Sequence, residues 1–121
     1  MMETARALSK WLAQFGLPAY LAQDVPDEAE LPYITIPLTE PEWRQQASFY
    51  IQVWYRTSSN VEPLTKADEI VAAIGEGVRI PIEGGVIVLW PSSPLIQTLV
   101  DGDYRSAYIN LAINSYHLPG E

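Results

Sequence analysis

The stretch SFYIQVWYRT, residues 48–57, alternates apolar and more polar side chains along its length. An extended chain points successive side chains to opposite faces of a sheet, so this alternation predicts a strand. One face carries Phe49, Ile51, Val53 and Tyr55. The other face carries Ser48, Tyr50, Gln52, Trp54 and Arg56. The strand therefore has a mainly aliphatic side suited to a core and an opposite side that carries tyrosine and tryptophan.

The same pattern returns near the end of the chain, in residues 104–116. One face carries Ala107, Ile109, Leu111 and Ile113. The other carries Tyr104, Ser106, Tyr108, Asn110, Ala112, Asn114 and Tyr116. Residues 95–100 form a further apolar run, and Asp101-Gly102 separates it from this strand. Because Asp-Gly tolerates the positive φ angles of tight turns, these two runs are predicted to form a hairpin.

Two segments have helical rather than strand periodicity. In residues 4–15, apolar side chains recur every three or four positions, and Gly16 and Pro18 follow as stop signals. In residues 60–75, Pro63 suits the first helical turn, and an apolar stripe follows it. The second helix is expected to pack on the aliphatic face of the sheet through Leu64, Val71 and Ile74.

Shorter features complete a single domain over residues 1–121. Residues 33–38 are predicted to be a strand that pairs antiparallel with residues 48–57, and Pro37 within it favours an edge position. Residues 17–31 form an acidic, proline-rich connector with a possible short strand at 19–22, and residues 39–46 form a polar loop. Residues 78–82 and 86–90 are short apolar runs, and the prolines of residues 91–94 are expected to break the chain after them. Residues 117–121 are expected to be a flexible C-terminal tail.

The order is helix, strand, strand, helix, short strands, strand, strand. It predicts an α+β fold, with an antiparallel β-sheet and two amphipathic helices packed on one of its faces.

Few side chains in this sequence are suited to catalysis or to metal binding. The chain has no Cys and a single His, His117, and its formal net charge is −8. Such acidity argues against a surface that grips nucleic-acid phosphates. Asp101 and Asp103 flank a turn, where aspartate commonly serves the backbone. We therefore expect no enzymatic activity, no cofactor and no bound metal, and the absence of an export-signal pattern favours the cytoplasm.

The aromatic sheet side remains as the candidate for function. A sheet side rich in Tyr, Trp, Asn and Ser is typical both of a solvent-facing antiparallel sheet and of a protein interface. Trp43 and Trp90, at expected loop or strand-end positions, are equally open to an anchoring role and to packing on the domain's own core. The candidate interface residues are Trp43, Tyr50, Trp54, Arg56, Trp90, Tyr104, Tyr108 and Tyr116.

The order of these features resembles the tail-terminator (tail-completion) and related neck proteins of long-tailed bacteriophages. The matching features are a leading helix that ends at Phe15-Gly16 and an acidic connector into the sequence PYITI at residues 32–36. The long aromatic strand, a helix around residues 67–70 and a closing strand at residues 108–111 follow in the same order. The break at residues 90–94 has no counterpart in this resemblance. The likeness covers nearly the whole chain and is one of pattern.

The resemblance implies a structural virion protein that completes the tail and joins it to the head connector. It implies a ring, usually a hexamer, whose partners are further copies of the chain, the tail-tube protein and the head-connector protein. DNA would pass through the ring without specific binding, and no membrane is involved. The protein would reside in the host cytoplasm during assembly and then in the tail or neck of the virion.

Two other functions fit the same residues. A small bacterial adaptor or inhibitor would bind one protein partner through the aromatic sheet face, as a monomer or in a 1:1 complex. An enzyme with a carboxylate-based site would instead require a pocket with clustered acids.

Overall fold

The computed structural model describes residues 2–37 and 47–117. Two α-helices, α1 (Met2–Leu12) and α2 (Val61–Ile74), lie within these ranges, and 3₁₀ turns occupy Ala13–Phe15 and Ala22–Asp24. The described strands are β1 (Ala19–Leu21), β2 (Tyr33–Ile36), β3 (Ala47–Arg56), β4 (Val78–Ile82), β5 (Gly85–Asp101) and β6 (Tyr104–His117). Both helices and both long strands predicted from periodicity are present, and the α+β class is confirmed.

The strands form one sheet in the order β1-β2-β3-β6-β5-β4. The predicted antiparallel pairing of β2 with β3 is confirmed, and β3–β6, β6–β5 and β5–β4 are antiparallel as well. The pair β1–β2 is parallel, so the sheet is mixed, whereas the sequence predicted an antiparallel sheet. The connector between β1 and β2 returns the chain to the end where β1 began, which a parallel pair requires.

The two helices contact different parts of this sheet. α2 contacts β3, β5 and β6, which are inner strands, whereas α1 contacts β4 and β1, which are the two edges. A sheet whose opposite edges both reach one helix must be curled toward that helix. The predicted packing of both helices on one sheet face is therefore not confirmed.

The hydrophobic core lies between α2 and the aliphatic side of β3, β5 and β6. Ile51 and Leu111 are buried there, as predicted. On α2, Ile74 is buried, while Leu64 and Val71 are half-buried. The fully covered positions of α2 are Pro63, Ala67, Ile70 and Ile74. Leu8, Leu12 and Phe15 add the apolar stripe of the N-terminal segment to the same cluster.

Lys66 connects the two helical segments. Its Nζ donates a hydrogen bond to the carbonyl oxygen of Phe15 at 2.8 Å and pairs with Glu69 Oε2 at 2.7 Å. The Lys66 side chain is partly buried, with 19% of its surface exposed. The carbonyl of a terminal helical turn lacks an intrahelical partner, so the ammonium group supplies one.

Two proline-containing regions differ from the sequence prediction. β2 ends at Ile36, before Pro37, and it is an inner strand because β1 covers its outer side. β5 continues through residues 91–94 instead of breaking there, with a shift in its register against β6 between Pro91 and Ile96. A bulge leaves ladder positions unpaired, so proline is accommodated there without losing a hydrogen bond that the sheet needs.

The hairpin between β5 and β6 turns at Gly102 and Asp103, one residue later than predicted, because Asp101 is already paired with Tyr104. Gly102 has φ 59°, a conformation that favours glycine. β6 extends to His117, the first residue of the predicted tail. Residues 118–121 and the predicted loop 39–46, with Trp43, lie outside the described residues.

Candidate interaction surface

Strand alternation collects the tyrosines on the sheet side that faces away from α2. The registers of β1, β2, β3, β5 and β6 place eight aromatic residues there, a surface called the aromatic face below. Its aromatic members are Tyr20, Tyr33, Tyr50, Trp54, Trp90, Tyr104, Tyr108 and Tyr116. The chain has seven tyrosines in all, so Tyr55 alone lies on the α2 side. Nearly the entire tyrosine content is thus concentrated on one surface.

Small polar side chains between the aromatic residues are buried rather than solvated. Gln52 is 7% exposed and Ser106 is 0% exposed, and Gln52 Nε2 donates a hydrogen bond to Ser106 Oγ at 2.8 Å. Trp54 Nε1 donates to Thr35 Oγ1 at 3.1 Å, which ties β3 to β2. Buried polar groups need partners, so these bonds fix the side chains between the rings.

Ring contacts order the same surface. Tyr50 and Tyr108 meet edge to face with ring centroids 5.0 Å apart, and Tyr20 meets Tyr33 in the same way at 5.6 Å. This geometry is the favoured one for aromatic pairs. The guanidinium of Arg56 lies 5.9 Å from the centroid of the Tyr104 ring, within the range of a cation–π contact.

A second row of polar contacts lies toward the β5 side. Asn110 Nδ2 donates to Gln97 Oε1 at 3.1 Å, and Asn114 Nδ2 donates to the hydroxyl of Tyr116 at 3.0 Å. Asn114 is buried, and its Oδ1 has no hydrogen-bond partner. Amide side chains therefore lie among the tyrosines along β6 as far as Tyr116.

Three of the predicted interface residues are substantially exposed: Tyr50 at 44%, Tyr104 at 40% and Tyr116 at 42%. Arg56 is exposed as well, while Trp54, Trp90 and Tyr108 are half-buried. Tyr50 contacts Tyr108, and Arg56 contacts Tyr104. Trp90 is paired with Ala112 of β6 on the same face, and Trp43 lies outside the described residues. Rigid tyrosine and tryptophan rings of this kind are enriched in protein interfaces.

Sequence reasoning missed three contributors to this surface. Tyr20 lies on β1, which has only three residues and too little alternation to assign a face. Tyr33 lies opposite Trp54, and its alternation with Ile34 and Ile36 is the signal that could have placed it on this face. Asp101, assigned only to the turn, pairs with Tyr104 and lies on the aromatic face beside it.

Exposed apolar residues also extend to the tip of the β5–β6 hairpin. Leu99 and Val100 are exposed near its end, and Tyr104 follows directly after the turn. Leu99 is paired with Ser106, which places Leu99 on the aromatic face. The hairpin therefore continues that face to the end of the sheet.

Tyr55 is the tyrosine on the α2 side of the sheet. Burial raises the pKa of the Tyr55 hydroxyl above its usual value, while Lys66 of α2 opposes that shift and Glu62 and Glu69 add to it. Within residues 2–37 and 47–117, no three His, Cys, Asp or Glu residues come together as a metal site would need. None of the helices described here combines the length and the apolar character needed to cross a membrane.

Neither a protein-family model nor a curated protein matches this chain.

Proposed function

We propose that this chain is a structural subunit that works by contacting other proteins through its aromatic face. We further propose that it is a tail-terminator or neck protein of a long-tailed bacteriophage, which forms a ring at the end of the tail and joins it to the head connector. The aromatic face supports the contact role, and the resemblance in the order of helices and strands supports the tail-completion role.

The observation that carries the proposal is the segregation of six of the seven tyrosines onto one sheet face, with Tyr50, Tyr104 and Tyr116 exposed. Tyrosine side chains offer a large contact area and lose little conformational freedom on binding. The hydrogen bonds beneath them hold the surface in place before a partner arrives, which lowers the entropic cost of association.

A closed ring requires a heterologous contact, in which one surface of a subunit meets a different surface of the next. The aromatic face supplies one candidate surface. The connector, residues 17–31, supplies the other through its four exposed acids, whereas Tyr20 of its edge strand β1 belongs to the aromatic face. The net charge of −8 suits a ring through which DNA passes, because an acidic lumen repels phosphates.

Light scattering of the purified protein, alone and with tail tubes that lack their terminator, tests this proposal. We expect a ring to form on the tubes, or in solution at high concentration. The double variant Tyr50→Ala/Tyr104→Ala should remain folded and lose this assembly. Val61→Ala is the matched control, since Val61 is 67% exposed but lies on α2, away from the aromatic face.

Two results would contradict the tail-completion role. A protein that neither self-associates nor binds tail tubes would exclude it. A stable 1:1 complex with a single host protein, lost in the Tyr50→Ala/Tyr104→Ala variant, would instead identify an adaptor or inhibitor that uses the same face.

A further inference from the structure

A hollow of about 330 Å³ opens on the aromatic face next to the β5–β6 hairpin. Three aromatic rings, two small or aliphatic side chains and one carboxylate line it: Tyr33, Trp54, Tyr104, Ala29, Leu31 and Asp101. It is called the Trp54 hollow here. Aromatic walls with a single acid are the composition that proteins use to bind organic cations.

Each aromatic wall of the Trp54 hollow is held by a separate contact. The Trp54 indole N–H donates to Thr35 Oγ1 at 3.1 Å, and Tyr33 meets Tyr20 edge to face. The Arg56 guanidinium carbon lies 5.9 Å from the centroid of the Tyr104 ring. The walls are therefore positioned without a ligand, and binding needs little ordering of the site.

The charges around the hollow are mainly acidic. Asp101 is exposed at its edge, and the chain segment that supplies Ala29 and Leu31 also carries exposed acids. These neighbouring acids are Asp27, Glu28 and Glu30. Arg56 is the nearby cation, but it lines a different hollow with Thr57, Ser58 and Arg105. A carboxylate beside three rings, in a chain of net charge −8, is complementary to a cationic group.

We propose that the Trp54 hollow binds an arginine side chain presented by a basic segment of a partner protein. A guanidinium can stack flat on Trp54 or Tyr104 and donate two parallel hydrogen bonds to Asp101, a combination that a lysine ammonium cannot match. The contact between Arg56 and Tyr104 is a guanidinium–ring contact of this kind within the chain itself. The inference rests on the proposed role of the aromatic face as an interface, but not on the identity of the assembly.

A peptide titration of the full-length protein tests the site without any tail component. The probe is acetyl-Gly-Arg-Gly-amide, and the matched peptide contains citrulline, which has nearly the same shape but no charge. The readout is the NMR signal of the Trp54 indole N–H, assigned with a Trp54→Phe variant. We expect the arginine peptide to shift this signal saturably and to bind about tenfold more tightly than the citrulline peptide, as a charge-assisted hydrogen bond implies.

Two variants assign the binding to the hollow. Asp101→Asn keeps the shape and turn preference of the residue, and it should weaken arginine-peptide binding about tenfold. Tyr104→Ala should weaken binding by about fivefold through loss of the ring contact. The controls Asp68→Asn and Val61→Ala change an exposed acid and an exposed apolar side chain of α2, and both should bind as the unchanged protein does.

Equal affinity for the two peptides, unchanged binding by Asp101→Asn, or no shift of the Trp54 signal would each overturn the proposal. Self-association that disappears in Asp101→Asn would identify a second copy of this chain as the source of the arginine, and would overturn the assignment to a partner protein. Failure of ring assembly alone, with the peptide result intact, would instead count against the tail-completion role.

Discussion

The two faces of the sheet are built from the same strands but differ in what they bury. On the α2 side, Ile51 and Leu111 are covered by the body of the protein. On the aromatic face, Gln52 and Ser106 are buried and hydrogen-bonded to each other, while Tyr50 remains exposed. The first face holds the fold together, whereas the second presents an ordered surface.

The degree of burial of a residue therefore does not by itself tell whether the residue stabilises the core or orders a recognition surface. A residue such as Ser106 is completely buried on the outer face, yet it contributes to the order of a surface rather than to the central core. Substitutions on the two faces test this difference, because those on the α2 side should affect folding and those on the aromatic face should affect association.

The largest effect is expected on the aliphatic side. Ile51→Ala or Leu111→Ala removes fully buried methyl groups and should lower the free energy of unfolding by about 2–5 kcal/mol. Tyr50→Ala, next to Ile51 but on the aromatic face, should cost less than about 1 kcal/mol. Urea denaturation measures both losses. Similar losses in the two variants would mean that the two faces contribute equally to the stability of the fold.

The next effect concerns association. Trp54→Ala should weaken assembly by about 2 kcal/mol, because large aromatic anchors carry much of the energy of an interface. Sedimentation with tail tubes measures the loss, and circular dichroism checks that the monomer stays folded. Because Trp54 also bonds to Thr35, Trp54→Phe separates the ring from that hydrogen bond. Normal assembly of Trp54→Ala would mean that this part of the aromatic face is ordinary surface.

A smaller effect is expected within the aromatic face. A double-mutant cycle over Gln52→Ala and Ser106→Ala should give a coupling free energy of about 1 kcal/mol, as for a buried neutral hydrogen bond. Thermal or urea unfolding of the four proteins measures it. Coupling near zero would show that the buried polar contact does not order this surface.

The smallest effect is a pH dependence from the α2 side. Because burial raises the pKa of Tyr55 in the folded protein, its contribution to stability is complete below the unfolded pKa of about 10 and is lost as the pH rises through the folded pKa. The Tyr55→Phe variant should therefore lose less stability between pH 9 and about pH 11. Urea midpoints across this range measure the difference, and parallel curves would exclude the effect.

Much of the fold could be predicted because long strands and amphipathic helices carry a local periodic signal. Residues 48–57 and 104–116 both alternate over many positions, and the structure places strands there. The parallel strand β1 could be suggested but not oriented, since three residues do not specify a partner or a direction. The continuity of β5 through its prolines depends on a register shift against β6, which is a tertiary property.

The aromatic face was predictable in outline for the same reason. Tyr50 and Trp54 are an even number of positions apart in β3, so they point to the same side of the sheet. The same holds for Tyr104 and Tyr108 in β6, and the antiparallel pairing of the two strands places all four on one face. The Trp54 hollow was not predictable, because it joins the connector, β2, β3 and the hairpin across long sequence separations. Asp101 illustrates the limit, since its sequence context indicates only a turn.

The most direct test of the central claim is hydroxyl-radical labelling of the protein, free and bound to tail tubes, read by mass spectrometry. If the aromatic face is the contact surface, labelling of Tyr50 and Tyr104 should fall several-fold on binding, while Val61 on α2 should be labelled equally in both states. Unchanged labelling of both tyrosines in the bound protein, or protection confined to α2, would contradict the claim.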